Sequence, residues 1–174
     1  DPESGFAHLA QGVVLTASRD FRAAEEHLKT ALALEPEFSY AHVALSRLYD
    51  LWGEPSRATE HAERACELAP DASGHWAHRA WLAWQRGDRQ QAIAYARTAL
   101  QLDPEDISAI VLLGQYELAN GNVDAAREHA AWALQNDATD EAALALLCGI
   151  KARTSVALGA WWRFQAYVAA GSNR

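Results

Sequence analysis

The sequence predicts an all-α solenoid of about five helix–turn–helix repeats. Three observations carry that expectation. Pro2, Pro36, Pro70 and Pro104 fall 34 residues apart, and Ala138 occupies the next point of the lattice. A helix-closing phrase recurs in the same phase, as ALEPEF at 33–38, ELAPDA at 67–72 and QLDPED at 101–106. Written in rows starting at Gly5, Ser39, Ser73, Ile107 and Glu141, the chain places small side chains in fixed columns. Column 8 holds Gly12, Ser46, Ala80, Gly114 and Cys148; column 20 holds Ala24, Ala58, Ala92, Ala126 and Ala160; column 27 holds Ala31, Ala65, Ala99 and Ala133, then breaks at Tyr167. A period of this length marks stacked supersecondary units, each unable to bury its apolar face alone.

Each row reads as two helices. The first row gives roughly 5–17 and 22–34, separated by Arg19-Asp20 and closed by Pro36. The second gives 39–52 and 56–69, separated by Gly53-Glu54, with Pro55 where a helix tolerates proline in its first turn. The third gives 73–86 and 90–102 around Gly87-Asp88, closed by Pro104. The fourth gives 107–119 and 124–135 around Gly121-Asn122, and the last gives 141–153 and 155–170. Glycine ends the first helix of a row, Asp or Asn caps the second, and proline cannot continue it. Small residues in columns 8 and 20 let paired helices cross closely; column 27 serves the contact with the next pair.

This pattern resembles the tetratricopeptide repeat family over residues 1–170: small residues at columns 8, 20 and 27 and proline at column 32 recur through four full rows. Other columns are looser. Column 4 holds Trp76 in one row but His8, His42, Ile110 and Leu144 elsewhere, and column 24 holds Ala62, Ala96 and Ala130 between Leu28 and Phe164. The resemblance implies a right-handed α-α superhelix. Residues 1–174 are expected to form one array, with repeats at 5–38, 39–72, 73–106 and 107–140 and a degenerate terminal repeat at 141–170. The phase of Pro2 makes residues 1–4 the remnant of a preceding repeat.

Composition excludes several functions. A net charge of −8 without a basic stripe argues against nucleic-acid binding. No apolar run reaches the length of a membrane span. Cys66 and Cys148 lie 82 residues apart in apolar helical text, which reads as two buried thiols and leaves the compartment open. There is no phosphate-cradling glycine loop and no nucleophile motif, so no catalytic residues, cofactor or metal are expected. The seven histidines mostly follow the repeat: His8 and His42 share column 4, and His27, His61 and His129 share column 23. Members of one column sit about a repeat apart, too far to share an ion. His75 and His78 are spaced to share a helix face but lack a ligand partner. The acidic pair Glu25-Glu26 reads as a solvated face.

In the family, columns 2, 5, 9, 12 and 13 line a concave groove. Here the resemblance assigns to it Phe6, Leu9 and Val13 from the first row; Tyr40, Val43, Arg47 and Asp50 from the second; Trp81 and Trp84 from the third; and Val111, Gln115 and Leu118 from the fourth. Large aromatics at solvent-facing positions mark contact sites for an apolar or aromatic peptide or helix of a protein partner, with Arg47 and Asp50 fixing its direction. The alternative for Trp81 and Trp84 is core, filling space beside Ala83 and Ala96. The basic clamp that grips terminal carboxylates in part of the family is absent. The last helix carries Trp161, Trp162 and Tyr167, where closure of the array, an end face for self-association or another chain, and contact with a membrane surface all stay open. A noncatalytic interaction module is the leading reading. Architectural use of the end faces within a larger, membrane-associated assembly is the second, and regulation of an attached enzyme the third.

Overall fold

A computed structural model describes residues 4–155. Every regular element among them is a helix: α1 Gly5–Ala17, α2 Phe21–Leu34, α3 Ser39–Trp52, α4 Pro55–Leu68, α5 Ser73–Gln85, α6 Arg89–Leu102, α7 Ile107–Asn120, α8 Val123–Asn136, and α9 over 141–155. The protein is an all-α repeat solenoid of paired helices. Its last expected helix, with Trp161, Trp162 and Tyr167, lies outside the described residues. The chain divides into two compact units at Asp106 and Ile107.

The recurring turn residues act through two repeated hydrogen-bond patterns. In each of the first four pairs the first helix ends with a backbone N–H donating five residues back: Asp20 to Leu15, Glu54 to Tyr49, Asp88 to Ala83 and Asn122 to Glu117, at 2.8–3.0 Å. That closure needs a left-handed residue just before the donor. Gly53, Gly87 and Gly121 supply it with φ of 86°, 80° and 93°, and Arg19 takes the same conformation at φ 62°. Asp20 and Asp88 then cap the second helix by accepting from the N–H of Ala23 and Gln91.

Between pairs, the second helix ends where Glu35, Ala69, Asp103 and Asp137 donate to the carbonyls of the column-27 alanines, 31, 65, 99 and 133. A β-turn follows at once. Phe38 donates to Glu35, Ala72 to Ala69, Asp106 to Asp103 and Asp140 to Asp137. The lattice prolines 36, 70 and 104 occupy the second position of these turns, where their fixed φ is already correct. The 34-residue beat is therefore one helix-stop turn used repeatedly.

In the first unit, Leu28, Leu45, Leu48 and Tyr49 are fully buried among Ala24, Ala44, Ala58 and Ala62. Burial of each such large side chain contributes about 1.5–3 kcal/mol. Ala62, Ala96 and Ala130 of column 24 are buried as well, so the thin middle rows close tightly rather than leave gaps. Column 8 has to be small for a visible reason. A Cβ added at Gly12 would lie 2.5 Å from Leu28 Cγ and 3.4 Å from the Ala24 carbonyl oxygen. In the second unit, a Cβ at Gly114 would meet Leu146 Cδ2 at 2.5 Å. The core there is Val111, Ala126, Ala130, Ala133, Ala143, Leu146 and Ile150.

Candidate functional site

The first helices of the first three pairs build one recess within the first unit. Helix α1 presents Leu9, Val13, Thr16 and Ala17, spaced to share a face. Helix α3 presents Tyr40, Val43, Ala44, Arg47 and Leu51 on the same spacing, and α5 contributes Gly74 and His75. They enclose a cavity of about 450 Å³. Its lining is mainly apolar, and Val13, Tyr40 and Leu51 stay solvent-exposed although large and hydrophobic. Gly74 matters here: it occupies the column that holds Phe6 and Tyr40 in the rows before it, so no third aromatic fills the recess.

Two polar groups remain available in this apolar setting. Arg47 is exposed and makes no ion pair among the described residues. His75 is only 4% exposed, and its Nε2 is buried with no hydrogen-bond partner. The edge-on Tyr40 ring stands 5.0 Å from the His75 ring. Burial lowers the His75 pKa, against the pull of Asp71, and so disfavours the charged imidazolium. An unpaired buried ring nitrogen costs free energy unless something bonds to it.

Leu9, Val13, Tyr40, Val43 and Arg47, expected from the sequence, thus come together. The other expected wall residues distribute differently. Phe6 is 69% exposed and lies on the Leu9 and Val13 face of α1, outside the cavity lining. Asp50 is half-buried beside the recess; burial raises its carboxyl pKa, against the pull of Arg86. Trp81 is exposed, with its ring 6.2 Å from that of His78, so it is not core. Trp84 is half-buried beneath the Arg89 guanidinium, 4.8 Å from its ring centroid.

In the second unit the expectation needs correction. Val111 is 2% exposed and belongs to the core, and half-buried Leu118 packs against that core. Side chains of the neighbouring helices, Ala126 and Ala130 of α8 and Ala143, Leu146 and Ile150 of α9, form one buried cluster with Val111 and cover it. Gln115 is half-buried. Trp161, Trp162 and Tyr167 lie outside the described residues.

His75 was missed as a lining group, yet its column carried a signal. Column 3 reads Ala7, Ala41, His75, Ala109 and Ala143. A polar ring in an otherwise alanine column needs a recess, and the neighbouring Gly74 provides one. His78 instead packs inside the unit, where its Nε2 meets Ser46 Oγ at 2.8 Å. The expectation for Glu25 also fails. It is mostly buried rather than solvated: Tyr49 Oη donates to its Oε1 at 2.7 Å, Arg57 donates at 2.9 Å, and Lys29 lies at 2.7 Å. The hydrogen bond from Lys29, then that from Tyr49, hold its pKa down to about 2. Cys66 is buried, which pushes its thiol up to about 11, but Cys148 is exposed.

The histidine columns do meet, although not along the stack. Column 4 faces column 23 in the first three pairs. His8 Nδ1 lies 3.0 Å from His27 Nδ1, and His42 Nδ1 lies 2.9 Å from His61 Nδ1. In the third row the same place is taken by Trp76 and Tyr95, ring centroids 5.9 Å apart. Among the described residues, no group of three or more His, Cys, Asp or Glu side chains is placed to hold a metal ion. None of the described helices is long and apolar enough to cross a membrane.

Comparison with known proteins agrees with the fold. Two family models described as tetratricopeptide repeat match residues 9–73 and 83–150. No curated protein matches. Among solved structures, the thermophilic TPR protein TTC0263 of Thermus thermophilus is 20% identical with a TM-score of 0.74, over 86% of this chain and 83% of that one. Pseudomonas aeruginosa PilF is 17% identical with a TM-score of 0.75, over 94% and 75%. PilW, titled a widely conserved type IV pilus biogenesis factor, is 20% identical with a TM-score of 0.71, over 80% of this chain. The match spans 64% of PilW, less than two thirds of its length. At these identities the likeness shows the fold. With its period, its turns and both family matches in agreement, the chain belongs to the tetratricopeptide repeat family, whose repeats are typically noncatalytic protein-interaction scaffolds.

Proposed function

We propose that the chain is a noncatalytic module whose α1–α3–α5 face binds an apolar or aromatic-bearing peptide or helix of a partner protein. The observation that carries this reading is the recess itself: exposed Val13, Tyr40 and Leu51 around a cavity of about 450 Å³, with Arg47 unpaired at its side. Apolar anchors give such a site its affinity, and a lone guanidinium gives direction. A partner carboxylate meeting Arg47 would form a charge-assisted bond in partly apolar surroundings. Phe6 and Trp81 extend the apolar surface along the same helices.

Selection from a random peptide display library tests the reading. It predicts enrichment of peptides with a large apolar or aromatic anchor, and loss of their binding in Val43→Asp and Arg47→Glu with retention in the remote control Arg127→Glu. Enriched peptides that bind all three variants like the parent would overturn it.

A second reading is architectural. A similar structure, 19% identical with a TM-score of 0.71 over 78% of this chain and 26% of that one, is titled as the APC/C hetero-tetramer Cut9-Hcn1. On that reading the end faces, including Trp161, Trp162 and Tyr167, make the contacts. Deletion of 156–174 would then abolish assembly while the recess variants leave it intact.

A further inference from the structure

We infer that His75 is the specificity-determining residue of the recess and that it selects a tyrosine anchor on an acidic segment of the partner; this rests on the α1–α3–α5 face being the binding face. The reasoning starts from an unsatisfied atom. Among the described residues, His75 Nε2 is the one buried side-chain nitrogen or oxygen without a hydrogen-bond partner. Neighbouring polar groups are engaged: Thr16 Oγ1 donates to the Gly12 carbonyl at 2.7 Å, and His78 Nε2 meets Ser46 Oγ at 2.8 Å. A folded chain keeps few such orphans, because each costs free energy until something bonds to it.

Room for a ring lies beside that atom. Phe6, Tyr40 and Gly74 share one column of the repeat, in the first turns of α1, α3 and α5. Phe6 and Tyr40 are exposed aromatics, whereas no side chain beyond its two chain neighbours stands within 4 Å of the place a Gly74 Cβ would take. The row of aromatics therefore stops at the recess, and its third place is open. A ring supplied by the partner fits there, since the cavity of about 450 Å³ lies within the roughly 300–1,000 Å³ of small-ligand sites. Tyr40 packs edge to face on the His75 ring, centroids 5.0 Å apart, without bonding to Nε2. Its exposed side chain changes rotamer rapidly and so turns aside for an incoming ring.

Hydrogen-bond chemistry narrows the ring to tyrosine. A neutral imidazole carries its proton on one nitrogen, so Nε2 donates or accepts according to tautomer. A phenol hydroxyl meets both cases, because it donates and accepts; an indole N–H meets one and a phenylalanine ring neither. A hydrogen bond made on binding ordinarily replaces bonds to water on both sides, which leaves a small net gain. Nε2 has no such bond to give up, so the gain here is larger. Charge sets the flanks. Arg47 lines the same recess and makes no ion pair among the described residues, so its guanidinium draws a carboxylate beside the tyrosine.

Two peptide display libraries test the inference, one with tyrosine and one with phenylalanine fixed at the central position and every other position random. Binders from either are synthesised in both forms and titrated against the chain by calorimetry. The expected result is acidic residues flanking the anchor, and a phenylalanine form that binds roughly 5- to 100-fold more weakly for want of one hydrogen bond to a buried group. His75→Leu binds the two forms alike. Gly74→Phe, which fills the open place with a side chain its column already carries, loses both. Circular dichroism establishes that the variants keep their helices, and Gly74→Phe gives an independent reading if His75→Leu unfolds. Binders that depend on Val43 and Arg47 but lack the tyrosine preference or the acidic flank, or that keep the preference in folded His75→Leu or their affinity in folded Gly74→Phe, overturn the inference and leave the binding face standing. Libraries that yield no binder, or binders that treat Val43→Asp and Arg47→Glu like the parent, overturn both.

Discussion

Ser46 Oγ lies 2.8 Å from His78 Nε2 and 2.7 Å from the carbonyl oxygen of Ala58, joining α3, α4 and α5 at one buried hydroxyl. The carbonyl can only accept, so the hydroxyl proton goes to Ala58. His78 must then donate its Nε2–H to Ser46, which fixes its tautomer. A small column-8 residue thus does more than permit close packing; here it locks one repeat to the next.

Replacing Ser46 by alanine leaves the His78 N–H buried without a partner. The expected cost is about 1–3 kcal/mol, read from the midpoint of urea unfolding. Restoring a donor–acceptor group of similar size in Ser46→Cys recovers only part of it, because sulfur is a weak acceptor.

His78 also makes stability depend on pH. Burial, followed by the charge of Arg47 and the neighbouring His75, lowers its pKa to about 4 from 6.5. Between these values the unfolded chain binds the proton and the folded chain does not, so stability falls as pH drops. The contribution at pH 4 relative to pH 7 is about 3 kcal/mol. Unfolding curves across that interval are expected to be flatter for His78→Leu than for the parent.

Glu25 acts at lower pH. Its pKa is held to about 2 in the fold, so its stabilising contribution is complete above 4.5 and disappears as pH falls through 2. Tyr49→Phe removes one of its donors. A loss of about 1.5–3 kcal/mol is expected at pH 7, and a double-mutant cycle with Glu25→Gln should show that the two losses are not additive.

Gly12 and Gly114 occupy the column where the helices cross most closely. Gly12→Ala pushes its new methyl into Leu28, and a loss of about 1–3 kcal/mol is expected by thermal unfolding despite the better helix propensity of alanine. Gly74, with open space around its Cα, should accept alanine without that loss.

Much of the fold was legible because the turns are local. A left-handed glycine, an Asp cap and a proline in a β-turn each act within a few residues, so helix limits agree with the spacing to within about two residues. The first-helix face was legible through α1 and α3, whose Leu9, Val13, Tyr40, Val43 and Arg47 follow one spacing. It failed in α7, where Val111 entered the core, since column position alone does not report what a neighbouring helix will cover. The histidine contacts were hidden for a related reason. Comparison down a column finds residues one repeat apart, whereas the contacts run across a row, from column 4 to column 23. Nothing local in the sequence reveals that crossing, and the tertiary role of Glu25 was hidden in the same way.

The most direct test of the binding face is backbone amide NMR of the labelled chain titrated with a selected apolar peptide. The account predicts shift changes concentrated at Leu9, Val13, Tyr40, Val43, Arg47 and His75, with α2 and α4 nearly silent. Saturable binding whose shift changes map instead to the outer faces of α2 and α4 would contradict it.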